Sequence, residues 1–357
     1  MAGRSHNEYL LRPTAAGLYC EKGGFYIDPV APVAKAIITH AHGDHATRGH
    51  ASYISSRSGA ALVKHRVGAH AKITSWEYGE VHRMNDVFVS LHPAGHILGS
   101  AQVRIEWRST RGTEVWVVTG DYRREPDPTC EPFEVIHCDT LITEATFARP
   151  QFVWPTTQSQ LDRLEQWWQG NQQRGFASFL YVYALGKAQR ILSALNPDCG
   201  PIFAPKVVRE ISQIYRDAGV ALPFERDPFV EMTPELWSRA LIVLPPSSKR
   251  PLMIPTAGSS ATAFASGWML DPEEQQRRQV DAGFVISDHP DHLEILRTVE
   301  ETCARRVFAT HGETGWLCET LNSRGIEAHD LDSLRVARGA RPGESWWLPV
   351  NDRPQES

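Results

Sequence analysis

Short apolar runs that alternate with polar residues and stop at glycine, proline or aspartate dominate the chain up to about residue 145. GLYCEKGGFYIDP predicts a hairpin, and AKAIITHAH an apolar run that ends in a histidine-rich loop. SYISS, DVFVSLHPAGH, AQVRIEWRS and TEVWVVTGDY predict further strands, the last two joined by a turn at RSTRGTE, and LITEATFA adds one more. Near residue 150 the period changes. SQLDRLEQWWQGNQQ, GKAQRILSAL and KVVREISQIYRDAG carry helical spacing, whereas FASFLYVYAL, RALIVLPP and PLMIPTAG are buried-strand runs. That β-α-β-α order predicts a parallel sheet. After about residue 272 strand and helix pieces return in AGFVISD, HLEILRTVEETC, RRVFATHGE and TGWLCETLNSRG, and NDRPQES reads as a frayed tail. No internal repeat is visible.

Composition narrows this little. At 357 residues and 40.0 kDa there is room for two domains, or for one large domain with an insertion. The content is 41% hydrophobic and 22% charged, ordinary for a soluble protein. No run reaches the ~18 apolar residues of a membrane span. The start, MAGRSHNEYLLRP, lacks the apolar core of a secretory signal. A cytoplasmic protein without membrane partners is expected, in which Cys20, Cys130, Cys138, Cys199, Cys303 and Cys318, none in a C-x-x-C pair, are reduced and largely buried thiols. The net charge of −5 argues against a broad basic face that coats nucleic acid. It leaves room for a nuclease, since a pair of divalent cations adds about four positive charges where a phosphate must sit. The basic clusters Arg123–Arg124, Lys187/Arg190, Lys206/Arg209, Lys249–Arg250 and Arg305–Arg306 read singly as solvated faces.

Candidate chemistry sits at the strand ends. THAHGDHATRGH places His40, His42, Asp44 and His45 just after an apolar run, with Gly43 expected to supply the sharp bend. Imidazole and carboxylate suit zinc, manganese or iron, and no cysteine lies near to close a structural zinc site. His96 in HPAGHILGSAQ is flanked by glycines; Asp121 ends VWVVTGDY and His311 ends RRVFATHGE. One design repeats, an apolar strand delivering a ligand beside glycine.

This arrangement resembles the metallo-β-lactamase superfamily, and within it the β-CASP branch of nucleic-acid nucleases, over nearly the whole chain. The resemblance implies an α/β fold, the αββα sandwich, with an inserted β-CASP α/β cap. Residues 1–151 and 273–357 would form the sandwich, and 152–272 the cap. It implies two divalent ions, Zn2+ or Mn2+. His40, His42, His96 and Asp121 would hold one, and Asp44, His45, His311 and the bridging Asp121 the other, with a two-metal-activated hydroxide as nucleophile. Asp28 in FYIDPV matches an aspartate that braces the histidine loop.

Glu144 in TEATFARP matches the acidic residue that opens the β-CASP region, and His289 in VISDHPD the histidine that follows the insertion. With Asp44 they complete the expected catalytic set; His289, held by Asp288 or Glu144, is the candidate for protonating the leaving group. Gly186 and Lys187, where a strand runs into a helix, are expected to contact phosphate. SSATAFASGWM is expected as a small-residue loop near substrate, contributing Ser266, Gly267 and a base-stacking Trp268. The compact layout most resembles bacterial DNA ligase-associated exonucleases of the Artemis-like group. That implies a DNA exonuclease acting on single strands or ends in repair, with a DNA ligase or helicase as partner. Artemis-type enzymes generally lack the last histidine, however, and His311 follows the RNA-processing pattern. An RNA-processing nuclease is the alternative; a metal-free repair scaffold and small-molecule hydrolysis are the remote ones.

Overall fold

A computed structural model describes residues 9–110, 112–248 and 258–331. In chain order the first part contains β1 (Leu11–Thr14), β2 (Gly17–Cys20), β3 (Phe25–Ile27), β4 (Ala36–Ile37), β5 (Tyr53–Ser56), α1 (Ala60–Val67), β6 (Ile73–Trp76), β7 (His82–Met84), β8 (Val87–Pro93), β9 (Ala101–Ser109), β10 (Gly112–Val118) and β11 (Thr140–Ala145). Then come α2 (Thr157–Gln173), β12 (Ala177–Tyr181), α3 (Lys187–Ala194), β13 (Ile202–Phe203), α4 (Lys206–Asp217), α5 (Pro234–Trp237), β14 (Leu241–Leu244), β15 (Ser260–Ala265), α6 (Pro272–Arg278) and β16 (Ala282–Phe284). The chain ends its described part with α7 (His292–Glu301), β17 (Arg306–Gly312), α8 (Thr314–Ser323) and β18 (Glu327–Asp330).

Two compact units result. The first takes residues up to Pro126, Cys130–Gln151 and the segment from Pro290 onward. It holds a six-stranded sheet, β1-β2-β3-β4-β5-β6, and a seven-stranded one, β18-β17-β11-β10-β9-β8-β7. Strand alternation explains the layering. Trp116 and Val118 on β10 share a core with Leu18, Phe25 and Ile27 of the other sheet. The intervening Val117 faces the opposite way, into a core with Ile295 and Val299 of α7 and Leu317 and Leu321 of α8. With α1 burying Leu62, Val63 and Val67 beside β5 and β6, the unit is an αββα sandwich, as expected.

The second unit comprises Asp127–Thr129 and Phe152–His289. Its five strands, in the order β13-β14-β12-β15-β16, all pair in parallel. Leu180 and Val243 face a core with Leu161, Leu164 and Trp168 of α2 and Ile191 of α3. Phe179 and Ile242 face one with Phe203 and Trp237. A sheet apolar on both faces is what the runs FASFLYVYAL and RALIVLPP predict.

Several expectations change. The insertion ends at His289 rather than 272, because β16 pairs with β15 through Ala263↔Ala282 and belongs to the inserted sheet. SSATAFASGWM is not a loop: residues 260–265 form β15, whose small side chains suit a position beside the central strand β12, and Gly267–Leu270 form a short 3-10 turn. AKAIITHAH yields only the two-residue β4, and β1, α1, β6, β7, β13, α5, α6 and β18 are additions to the expected elements. PLMIPTAG up to residue 257, Lys249–Arg250 and NDRPQES lie outside the described residues. All six cysteines are free thiols, but Cys303 is exposed and only Cys20 and Cys138 are fully buried.

Candidate metal centre

The site gathers where strands of the first unit end. β3 and β4 run parallel and deliver Asp28 and His40; β10, β11 and β17 run parallel and deliver Asp121, Glu144 and His311. After β4 the chain closes a tight turn in which the His42 carbonyl accepts N–H from His45 at 3.2 Å and Ala46 at 2.8 Å. Gly43 does not adopt left-handed backbone, and a β-carbon there would meet only the Arg66 guanidinium, Nη1 at 3.6 Å. The bend expected from Gly43 is therefore made by these hydrogen bonds. Glycine is required elsewhere: Gly95, before His96, has φ 73° and a β-carbon on it would lie 2.4 Å from the Arg123 carbonyl oxygen.

His40, His42, His96 and Asp121 have potential ligand atoms within 4.8 Å of one another, as do Asp44, His45 and His311. His42 Nδ1 lies 3.0 Å from His40 Nε2 and 3.1 Å from His96 Nε2. Asp121 faces both sets. Its Oδ2 is 3.5 Å from His40 Nε2 and 3.7 Å from His96 Nε2, while its Oδ1 is 3.5 Å from His45 Nε2. His45 Nε2 also lies 3.8 Å from Asp44 Oδ2, and the His311 ring stacks on His45 with centroids 5.4 Å apart.

The hydrogen bonds behind the cluster fix which nitrogens face it. Asp28 is buried, with φ 42°, and accepts from the Thr39 N–H at 2.8 Å, the Thr39 hydroxyl at 2.5 Å and His45 Nδ1 at 2.8 Å. Thr39 spends its one proton on Asp28, so at 3.1 Å it accepts from His40 Nδ1. Both rings thereby turn Nε2 toward the cluster, the nitrogen through which a metal would be held. A left-handed backbone at a non-glycine residue is strained, and it occurs both at Asp28 and at His311, φ 57°. Glu144, also buried, accepts the Tyr122 N–H at 2.9 Å and the Thr146 hydroxyl at 2.6 Å, which fixes the peptide next to Asp121.

Charge accounts for the rest. Burial opposes a proton on His45, yet Asp121, Asp44 and Asp28 outweigh it and raise its pKa to about 10. Burial likewise opposes ionisation of Asp44, but His45, His42 and His311 hold it down to about 2. Imidazole lone pairs converging on one carboxylate from a low-dielectric pocket form a donor set that fits a divalent cation. Thr39 was missed in the sequence; its signal is a hydroxyl residue between the apolar run and the first histidine.

The remaining expected residues belong to the second unit. Lys187 is buried, with Nζ 3.5 Å from Asp288 Oδ2 and 4.8 Å from the centre of the Tyr183 ring. Arg190 pairs with the same Asp288 at 3.3 Å, with Asp127, and with the Ser287 carbonyl at 2.6 Å. Lys187 is thus part of a buried ion-pair network and not an exposed cation. Gly186, φ 87°, donates its N–H to Gln189 Oε1 at 2.9 Å. The His289 N–H donates to the Ser287 hydroxyl at 3.1 Å and its carbonyl accepts from Trp154 Nε1 at 3.1 Å, which pins the peptide and leaves the residue half-buried. The Ser266 hydroxyl accepts from the Trp268 N–H at 3.3 Å beside the buried Gly267, and the Trp268 ring meets Phe152 edge-on at 5.5 Å.

No protein-family profile matches the sequence. A probable DNA ligase of Opitutus terrae is 31% identical over 313 residues, 87% of this chain and 30% of that one. Endoribonuclease ysh1 of Aspergillus fumigatus is 35% identical over 130 residues, 35% of this chain and 14% of its own. Transcription termination factor FttA of a Lokiarchaeum is 30% identical over 135 residues, 37% and 21% respectively. The chain therefore spans less than a third of the length of each of these relatives. In structure it is similar to a protein of unknown function from Enterococcus faecalis V583, with a TM-score of 0.55 at 12% identity over 83% of this chain and 78% of that one, a likeness of fold. No described helix is long and apolar enough to cross a membrane. With these relatives, the sandwich and the histidine–aspartate cluster in hand, the chain belongs to the β-CASP branch of the metallo-β-lactamase superfamily.

Proposed function

We propose that this protein hydrolyses phosphodiester bonds at DNA ends, as an exonuclease in end processing, with two divalent ions, Zn2+ or Mn2+. The observation that carries the reading is the division of Asp121 between two ligand sets, one oxygen toward His40 and His96 and the other toward His45. Bound there, divalent ions supply Lewis acidity toward a phosphate and lower the pKa of water. His40, His42, His96 and Asp121 would hold one, and Asp44, His45, His311 and Asp121 the other. Asp28 and Thr39 orient two of the rings, and Glu144 steadies the peptide that follows Asp121.

His289 is assigned the proton for the leaving oxygen, with its backbone fixed by Ser287 and Trp154. Asp288, Lys187 and Arg190 anchor that segment from within. Gly186, Ser266, Gly267 and Trp268 complete the proposal as substrate contacts. DNA is favoured because the relative that matches 87% of the chain is named a probable DNA ligase, which also makes a ligase, or a helicase of the same process, the proposed partner. A second reading, RNA cleavage, has the endoribonuclease and termination-factor relatives in its favour, over 35% and 37% of the chain.

The test is cleavage of matched end-labelled single-stranded DNA and RNA with zinc or manganese, with His42→Ala as control. Stepwise shortening of DNA, reduced at least about a hundredfold in the control, is the expected result. Preferential RNA cleavage would move the protein to the second reading, and inertness on both would remove the phosphodiesterase altogether.

A further inference from the structure

Two arginines flank the ligand loop without taking part in it. Arg66, in the last turn of α1, folds back so that its Nε donates to the Ala41 carbonyl at 3.3 Å, between His40 and His42. Its Nη1 lies over the loop, 3.6 Å from where a β-carbon on Gly43 would stand. Arg48, beyond the same loop, donates from its Nε to the Arg66 carbonyl at 3.1 Å. Both side chains are exposed.

Each guanidinium is thus held by its Nε on a backbone oxygen, and neither has a carboxylate within 4.0 Å among the described residues. Arg83 on the same unit is held likewise, on the Asn85 carbonyl, whereas Arg57 sits on Glu77, Arg104 and Arg108 on Glu106, and Arg149 on Glu313; Arg48 and Arg66 are set apart by lying beside the ligand loop. Asp44 is the acidic group whose field reaches Arg66, and its charge belongs to the second ligand set. Basic residues in a last helical turn are favoured by the helix dipole, which accounts for Lys64 and His65 beside Arg66. The dipole does not account for Arg48, which is outside the helix, nor for Arg66 reaching back to Ala41.

We infer that Arg48 and Arg66 form a clamp for a phosphodiester flanking the one at the metal centre, each offering Nη donors to its oxygens. The clamp rests on the phosphodiesterase reading and adds the polyanionic strand as what the loop's outer face binds. A guanidinium already tied at Nε keeps its fork in one orientation and loses less freedom on meeting phosphate. Glycine at 43 leaves the Arg66 fork uncovered.

Anisotropy titrations of a labelled single-stranded oligonucleotide test the clamp without any need for turnover. The metal-loaded protein is compared with R48A/R66A and with R57A/R108A, which removes the same charge from exposed ion-paired positions. The clamp variant, with metal content unchanged, should bind about tenfold more weakly at about 50 mM salt, and its log–log salt slope should fall by about 1.4, near 0.7 for each lost phosphate contact. The control should stay within about twofold of wild type. Binding by R48A/R66A that matches wild type, or an equal loss in the control, would overturn the inference. Should the alanine pair lose metal, R48Q/R66Q gives the same reading. Failure of the phosphodiesterase reading shows separately, as absent cleavage by a wild-type protein whose binding still depends on the two arginines.

Discussion

At the scale of single residues, the site depends on where a few protons are. Thr47 donates its hydroxyl proton to the Pro29 carbonyl at 2.5 Å, so its 3.0 Å contact with His50 has His50 Nε2 as donor. His50 Nδ1 is then bare and accepts the Val33 N–H at 3.3 Å. Burial lowers the pKa of His50, in keeping with a neutral ring whose second nitrogen faces a donor. This chain of bonds fixes the carbonyl of Pro29, the neighbour of Asp28, which orients His45. Thr47→Val keeps the shape but leaves the Pro29 carbonyl and His50 Nε2 without this hydroxyl, at a cost of about 1–3 kcal/mol. Thermal unfolding of the zinc-loaded variant should show a lower midpoint, and zinc titration a weaker affinity. An unchanged affinity would mean that the Asp28 brace stands without Thr47.

At the scale of elements, legibility followed burial pattern. Residues 101–109 were readable as a strand because apolar Ala101, Val103 and Ile105 alternate with polar Gln102, Arg104 and Glu106, and the structure gives β9 those bounds. Segment 260–265 was not, since alternate positions are alanine, only Thr262 is β-branched, and its partners β12 and β16 are set by pairings distant in sequence. The proposed ligands stood out in the sequence because each comes at or just after an apolar run. The second unit's ion pairs were not, because Asp127 and Asp288 meet Arg190 across 63 and 98 residues of chain. A short-range feature testable at this scale is the start of α7, where Asp291 and Glu294 exchange backbone hydrogen bonds in a capping box. Burial raises the Glu294 pKa, and the nearby Asp291 and Glu125 add to the rise against Arg123. A raised folded-state pKa means that this group's contribution is full below its unfolded value and is lost as pH rises through the folded one. Glu294→Gln keeps an acceptor for the Asp291 N–H and never ionises. Its unfolding midpoint should exceed wild type by about 1–3 °C at pH 7 and match it near pH 4. A gain of equal size at both values would put the effect in packing.

On the scale of the whole chain, a net charge of −5 is opposed to binding a polyanion, and the metal centre concentrates part of that negative charge in one place. Asp28, Asp44 and Asp121 lie around His45 strongly enough to keep it protonated far above its usual range. Without metal, that proton is the local counter-charge; a divalent ion must displace it and in return relieves more of the carboxylate repulsion. Metal therefore stabilises the folded sandwich by linkage, by about 2.7 kcal/mol when free ion stands a hundredfold above its dissociation constant. The inserted unit has its own cores, around Leu180 and around Phe179. Stripping the protein with a chelator should lower its unfolding midpoint, and zinc or manganese should restore it. Hydrogen exchange should place the regained protection at residues 28, 39–46, 94–100, 119–123 and 310–313, where the ligand-bearing turns lie. Asp121→Asn removes a carboxylate charge from both sets at once, and should abolish the metal-dependent shift while leaving the exchange pattern of the inserted sheet as it was. A full metal shift in that variant would deny Asp121 its place between the two sets, and with it the basis for two-ion chemistry.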